Sequence, residues 1–170
     1  MAMGEHQRSA PEKAGTSHQY EIHVEWTGNQ GEETRTYRSY RRDFAVSSEG
    51  KAPIAGSSDP AFRGDPARYN PEDLLVASLS SCHMLWYLHR CAASGVTVVS
   101  YPDNARGVMR EAEDGSGAFS RVELQPRVRI TDPAQRDTAL ELHHRAHALC
   151  FIANSVNFEV VLTPEIMSEV

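Results

Sequence analysis

The chain has 170 residues, 23 acidic and 17 basic side chains and a formal net charge of -6. That is long enough for one domain with a real core. The basic residues form no long run, which argues against nucleic-acid binding, because phosphate contacts need a concentrated positive field. No apolar stretch reaches the roughly 18 to 20 residues that span a bilayer. The N-terminal segment has no apolar h-region, so no secretory signal is expected and the reading is cytoplasmic.

Residues 1–18 are polar and rich in Gly, Pro, Ser and charge, and read as a disordered tail ahead of a single domain over 19–170. Tyr20, Ile22, Val24 and Trp26 alternate with polar neighbours, as in a half-buried strand. Gly28 to Gly31 make a turn. Thr34 to Val46 alternates again, with Tyr37, Tyr40 and Phe44 among arginines. Ser48 to Lys51 is a hairpin turn before a short strand at Pro53 to Ala55. The loop Gly56 to Pro71 is long, and such loops are functional or disordered. Asn70-Pro71 starts a helix, with Asn as cap and Pro at the first position. Glu72 and Asp73 suit the positive end of its dipole. It runs to about Ser94, and Gly95 ends it. Strands follow at Val96 to Tyr101, Ala105 to Glu113 and Phe119 to Ile130. Asp132-Pro133 opens a second helix to about Ile152, and Val156 to Leu162 is a last strand. The order β-β-β-α-β-β-β-α-β points to an α+β fold with mainly antiparallel sheet.

The first helix is apolar almost all round, as in a helix enclosed by other structure. It carries Cys82 inside the uncharged segment LLVASLSSCHMLWYL. Cys91, nine residues on, faces the other way and lies roughly 13 Å along the axis. A disulfide needs Cα atoms within about 7 Å, which leaves Cys150 as the intrachain partner for Cys82. In a cytoplasmic chain such a pair is transient and catalytic rather than structural. A mid-helix thiol far from a helix terminus needs a cation beside it to become a nucleophile. Candidates lie in Tyr37 to Phe44 and at Arg63. Glu72, about 15 Å from Cys82 along a straight helix, could orient such a cation only near the Cys82 of a second chain. His143, His147 and Cys150 share one helix face, with Cys82 or His83 as a fourth donor, and form the rival reading, a Zn²⁺ site.

The motif NPEDLL (Asn70 to Leu75), Cys82 ten residues after Glu72, and AHALC (Ala146 to Cys150) resemble the family of osmotically inducible protein C and organic hydroperoxide resistance protein. The resemblance covers about residues 18–165. It implies two mainly antiparallel sheets around central helices in an intertwined homodimer with a shared active site. The implied activity is thiol-dependent reduction of organic hydroperoxides to alcohols, in defence against oxidative stress. No metal or organic cofactor is implied, and the reductant is an external dithiol, the lipoyl type being one candidate. Cys82 matches the peroxidatic cysteine, Cys150 the resolving one and Glu72 the orienting carboxylate. Arg42 is the best match for the family's arginine, with Arg41, Arg38 and Arg63 as the alternatives. Leu79, Leu85 and Trp86 are expected to wall the site with apolar surface. The chain departs from the pattern in having Phe151 where Pro usually follows the second cysteine, and His83 where an aromatic usually follows the first. A relative that only binds a small molecule, without turnover, is the other alternative.

Overall fold

The computed structural model describes residues 15–168, so residues 1–14 of the expected tail lie outside it. The first three strands, β1 (His23–Trp26), β2 (Phe44–Ser47) and β3 (Ile54–Gly56), form an antiparallel sheet. Val24, Val46 and Ile54 stand in one cross-strand row, and Trp26, Phe44 and Gly56 in the next. Gly56 lies under the Phe44 ring, where a Cβ would collide. Alternation puts Ile22, Val24, Trp26, Val46 and Ile54 on one face. Ile22 and Val24 are 58% and 61% exposed, so the other described residues leave that face uncovered.

The long strand expected over Thr34 to Val46 reduces to β2. The stretch before it is a chain of polar turns: Asn29 Oδ1 accepts from the Gly31 amide (2.9 Å), and the Ser39 hydroxyl donates to the Glu33 carbonyl (2.9 Å). Such side-chain bonds compete with ladder pairing, and the tyrosine alternation does not override them. The loop after β3 is fastened down. The buried Asp43 carboxylate accepts from the Ser57 hydroxyl (3.1 Å) and pairs with Arg41 (2.9 Å), while Asp65 pairs with Arg41 and Arg68 (3.4 Å each).

Helix α1 (Pro71–Ala93) begins as the sequence indicates. Asn70 Oδ1 accepts from the Asp73 amide (2.7 Å), Asp73 Oδ2 accepts from the Asn70 amide (3.2 Å), and both orphan donors are satisfied. Gly95, at φ 74°, takes the left-handed conformation just past its end. Leu79, His83, Tyr87 and Cys91 recur every fourth residue and are buried. The opposite stripe, Ala77, Ser81, Leu85 and His89, is exposed. Among the described residues the helix is therefore enclosed on one side only.

Next come β4 (Val98–Ser100), β5 (Arg106–Glu111), β6 (Gly117–Leu124), β7 (Arg127–Ile130), α2 (Arg136–Leu149), β8 (Glu159–Leu162) and β9 (Glu165–Ser168). The strand expected over Phe119 to Ile130 is broken at Gln125-Pro126, because proline cannot donate to a ladder. Asp103 Oδ1 takes up the Gln125 amide at the break (2.7 Å). A further strand, β9, follows Pro164. The architecture is α+β as expected, and among the described residues the strands of one chain form three sheets: β1-β2-β3, β5-β6-β8 and β4-β7-β9. The pairs β6–β8 and β7–β9 are parallel and the others antiparallel. Two cores result. One lies under the first half of α1, with Leu79, Val122 and Leu124 at its centre. The other joins Tyr87, Cys91, Val128, Ile130, Leu142 and Ala146 between the helices and the sheet β4-β7-β9.

Candidate active site

Cys82 sits mid-way along α1, beside the buried stripe, and is half-buried. Helix α2 ends at Leu149 rather than near Ile152, so Cys150 is its C-terminal cap, with an extended backbone (ψ 110°). Its side chain is almost fully buried, and its Sγ accepts the Ala153 amide at 3.4 Å. Both thiols are free, and Cys150 lies in side-chain contact with Cys82. Burial first, and then that contact with Cys82, hold the Cys150 thiol well above its ordinary range. Cys150 is thus a protonated thiol at neutral pH.

An open groove of about 640 Å³ runs past Cys82, lined by Ser78, Ser81, Leu85, Trp86, His89, Phe151 and Ile152. Leu85 and Trp86 are in the wall as expected. Leu79 is not, because it is fully buried against Val122 and Leu124. Phe151 is an addition. It meets Trp86 edge-on at 5.6 Å, and Trp86 meets His89 the same way at 5.9 Å, so three rings form a ladder along the lip. Its position directly after Cys150 was the available signal.

The expected Arg42–Glu72 pair is not formed within one chain. Arg42 donates to the carbonyls of Tyr40 (2.7 Å) and Tyr37 (2.6 Å), and its guanidinium lies over both rings at 4.2 and 4.3 Å. Arg63 also lies over Tyr37, at 5.9 Å. Arg41 is committed to Asp43 and Asp65. Among the described residues Arg38, Arg42 and Arg63 form no ion pair, and neither does Glu72. Glu72 lines a second groove, with Asp59, Asp73 and Asp103 and no cation. The rival donor set is not assembled either. Among the described residues no three His, Cys, Asp or Glu side chains could hold a metal ion together. His143 turns to His83, and Cys150 turns to Cys82 and Ala153.

The model of the family described as OsmC-like protein matches residues 64–165. The chain belongs to the OsmC-like family. The structure of an OsmC-like protein of unknown function from Vibrio cholerae is 34% identical, with a TM-score of 0.77, over 89% of this chain and 100% of that one. An organic hydroperoxide resistance protein from Elizabethkingia anophelis is 20% identical, with a TM-score of 0.63, over 89% and 100% of the two chains. A putative organic hydroperoxide resistance protein from Vibrio cholerae, with captopril in one of its active sites, is 20% identical, with a TM-score of 0.58, over 88% and 93%. At that identity the last two establish the OsmC-like fold alone. No curated protein matches the sequence. Among the described residues no helix is long and apolar enough to cross a membrane.

The two helices of this OsmC-like chain also carry two buried imidazoles, His83 and His143. Burial first, and then the neighbouring His147, push His83 down to about 4. Burial first, and then His83 and His144, push His143 down to about 3. Both values lie below the 6.5 of a free imidazole, so below pH 6.5 the unfolded chain binds protons that the folded chain refuses. Their contribution to stability is complete above that pH and is lost as the pH falls toward 4 and 3. A urea-unfolding series should show a loss of roughly 2 kcal/mol per ring between pH 7 and 5. An unchanged midpoint across that interval would contradict the burial of neutral rings.

Proposed function

We propose that this OsmC-like protein is a cytoplasmic thiol peroxidase that reduces organic hydroperoxides to alcohols. Cys82 is the peroxidatic cysteine and Cys150 the resolving one. The observation that carries this reading is the nearness of two free thiols, with Cys82 lining an apolar groove and Cys150 buried. The Cys82 thiolate attacks the distal peroxide oxygen. The S–O bond forms, the O–O bond breaks, and the alkoxide takes a proton to leave as alcohol, with Cys82 left as a sulfenic acid. Cys150 then attacks the Cys82 sulfur. The S–S bond forms, and the departing hydroxide takes the Cys150 proton and leaves as water. An external dithiol restores both thiols by exchange.

The working unit in this reading is an intertwined homodimer. Three features support it: the uncovered apolar face of the first sheet, the outward stripe of α1, and charges that lack partners within the chain. Arg42, set on its two tyrosines, is a cation in want of a carboxylate, and Glu72 sits in an acidic groove in want of a cation. Pairing the Arg42 of one chain with the Glu72 of the other satisfies both and brings a guanidinium toward a Cys82. The apolar groove favours a bulky organic peroxide over hydrogen peroxide.

Thiol titration before and after one equivalent of cumene hydroperoxide tests the reading. Two of the three thiols should disappear and Cys91 should remain. Retention of all three would leave Cys82 as a core thiol and end the assignment.

A further inference from the structure

The two helices that carry the reacting thiols are also joined by a second polar contact. His83 Nε2 and His143 Nδ1 are 3.0 Å apart, with their rings within 5° of parallel. Both side chains are fully buried. Tyr87 lies flat against His143, with ring centroids 3.8 Å apart. His83 follows Cys82 directly, and His143 is two helical turns before Cys150 on the same side of α2.

A hydrogen bond between two imidazoles needs one N–H and one lone pair. The outer nitrogens, His83 Nδ1 and His143 Nε2, are buried without a partner. A proton added to the pair would leave an N–H at both outer positions, with no acceptor for either and an uncompensated buried charge. The groups facing the pair give no relief. They are Tyr87 from α1, His144 and His147 from α2, and Tyr101 after β4, and no carboxylate bonds to either ring. The pair therefore holds as a neutral unit and is disrupted by charge.

We propose that His83 and His143 are positioning residues. As a neutral pair they clasp α1 to α2 so that Cys150 rests on Cys82. When the pair is charged, or one ring is left buried without the other, disulfide formation slows while the peroxide step at Cys82 continues. This rests on the peroxidase reading for its chemistry, and on the geometry of α2 for its effect. Cys150 lies past the last helical turn, where its own amide bonds back to the His147 carbonyl at 3.2 Å. A small shift of that end takes the sulfur out of reach, since a disulfide tolerates only a narrow range of Cα separation. Attack on a peroxide by Cys82 asks nothing of α2.

The test uses the full chain as wild type, His83→Leu, His143→Leu and the double variant. Sulfenic acid at Cys82 is trapped with dimedone, and the Cys82–Cys150 disulfide is followed by mass spectrometry. Oxidation is by cumene hydroperoxide and, separately, by diamide, which needs no peroxidase activity. Each single variant leaves one buried imidazole unpaired, and should slow disulfide formation by about tenfold or more with both oxidants while sulfenic acid formation stays within about threefold. The double variant, with no orphaned imidazole, should recover most of the rate. The wild-type disulfide rate divided by that of the double variant cancels the shared thiol titration, and should fall as the pH drops below about 5. Single variants that close the disulfide at the wild-type rate, a double variant no better than the singles, or a ratio flat with pH would each overturn the proposal. Should the single variants fail to fold, the double variant and the pH ratio decide. Absence of sulfenic acid in the wild type would defeat the peroxidase reading alone, and the diamide rates would still decide the positioning role.

Discussion

Cys82→Ser is expected to abolish hydroperoxide turnover, by about 10³-fold or more, because a serine hydroxyl is a far weaker nucleophile than a thiolate. Cys150→Ser should behave differently. It should consume one equivalent of peroxide per chain and stop, with a sulfenic acid on Cys82. The asymmetry follows from the surroundings of the two sulfurs. Cys150 is buried and held protonated by burial and by its contact with Cys82, so it cannot take over the attack on a peroxide at neutral pH. Its proton is what the departing hydroxide needs in the second step. Cys91→Ser is the control, since Cys91 lies on the far side of α1 in the core with Tyr87. Peroxide consumption by the three variants, read with an iron–xylenol orange assay, decides the matter. Turnover surviving in Cys82→Ser would refute the assigned order of the two cysteines.

Val24→Asp should convert a dimer to monomers and reduce turnover by about 10²-fold, because burying a carboxylate without a partner costs several kcal/mol. Val24 is the β1 member of the row Val24, Val46 and Ile54 on the first sheet and is 61% exposed. His23→Asp, one residue away, points to the opposite face and should leave assembly intact. Loss of activity with loss of the dimer is expected because the guanidinium of Arg42 and the carboxylate of Glu72 find no partners within one chain. Sedimentation velocity of the two variants, with activity measured on the same samples, separates assembly from chemistry. A wild type that sediments as a monomer, or a Val24→Asp dimer, would remove the shared-site model.

What was legible in the sequence was whatever depends on near neighbours. Asn70-Pro71 announced α1, and the reciprocal bonds of Asn70 and Asp73 are the reason. Gly95 announced its end. That Cys82 lies near Cys150 rather than Cys91 followed from helix geometry. The segment before β2 was misread because tyrosines alternating with arginines imitate a strand. Those tyrosines instead form a seat for Arg42. The break at Pro126 was hidden in a run of good strand formers, and β9 is too short to stand out from Pro164 onward. The arginine expected at the site could not be placed, because Arg41 pairs with Asp43 and Asp65, and Arg42 and Arg63 lie over tyrosine rings. The pairing of His83 with His143 was invisible for a different reason. The two residues meet only because α1 and α2 cross, and no local pattern encodes a crossing. As single residues they were read as metal donors, and the structure buries both in the core.

The paired parallel strands set an order on the folding reaction. Strands β6 and β7 are joined by Gln125-Pro126, β8 and β9 by Thr163-Pro164, and the two corners lie side by side through the bonds Thr163 N–H to Leu124 O and Glu165 N–H to Pro126 O, both 2.9 Å. Each parallel pairing spans the whole of α2, so it closes a long loop before any ladder bond is returned. A chain emerging from the ribosome can form α1 and the hairpin β5–β6, yet β6 and β7 stay open-edged until the last two strands are released. Those edges are exposed for the slowest part of folding. Loss of the last strand pair should therefore appear first as aggregation of nascent chains rather than as a reduced midpoint in the purified protein.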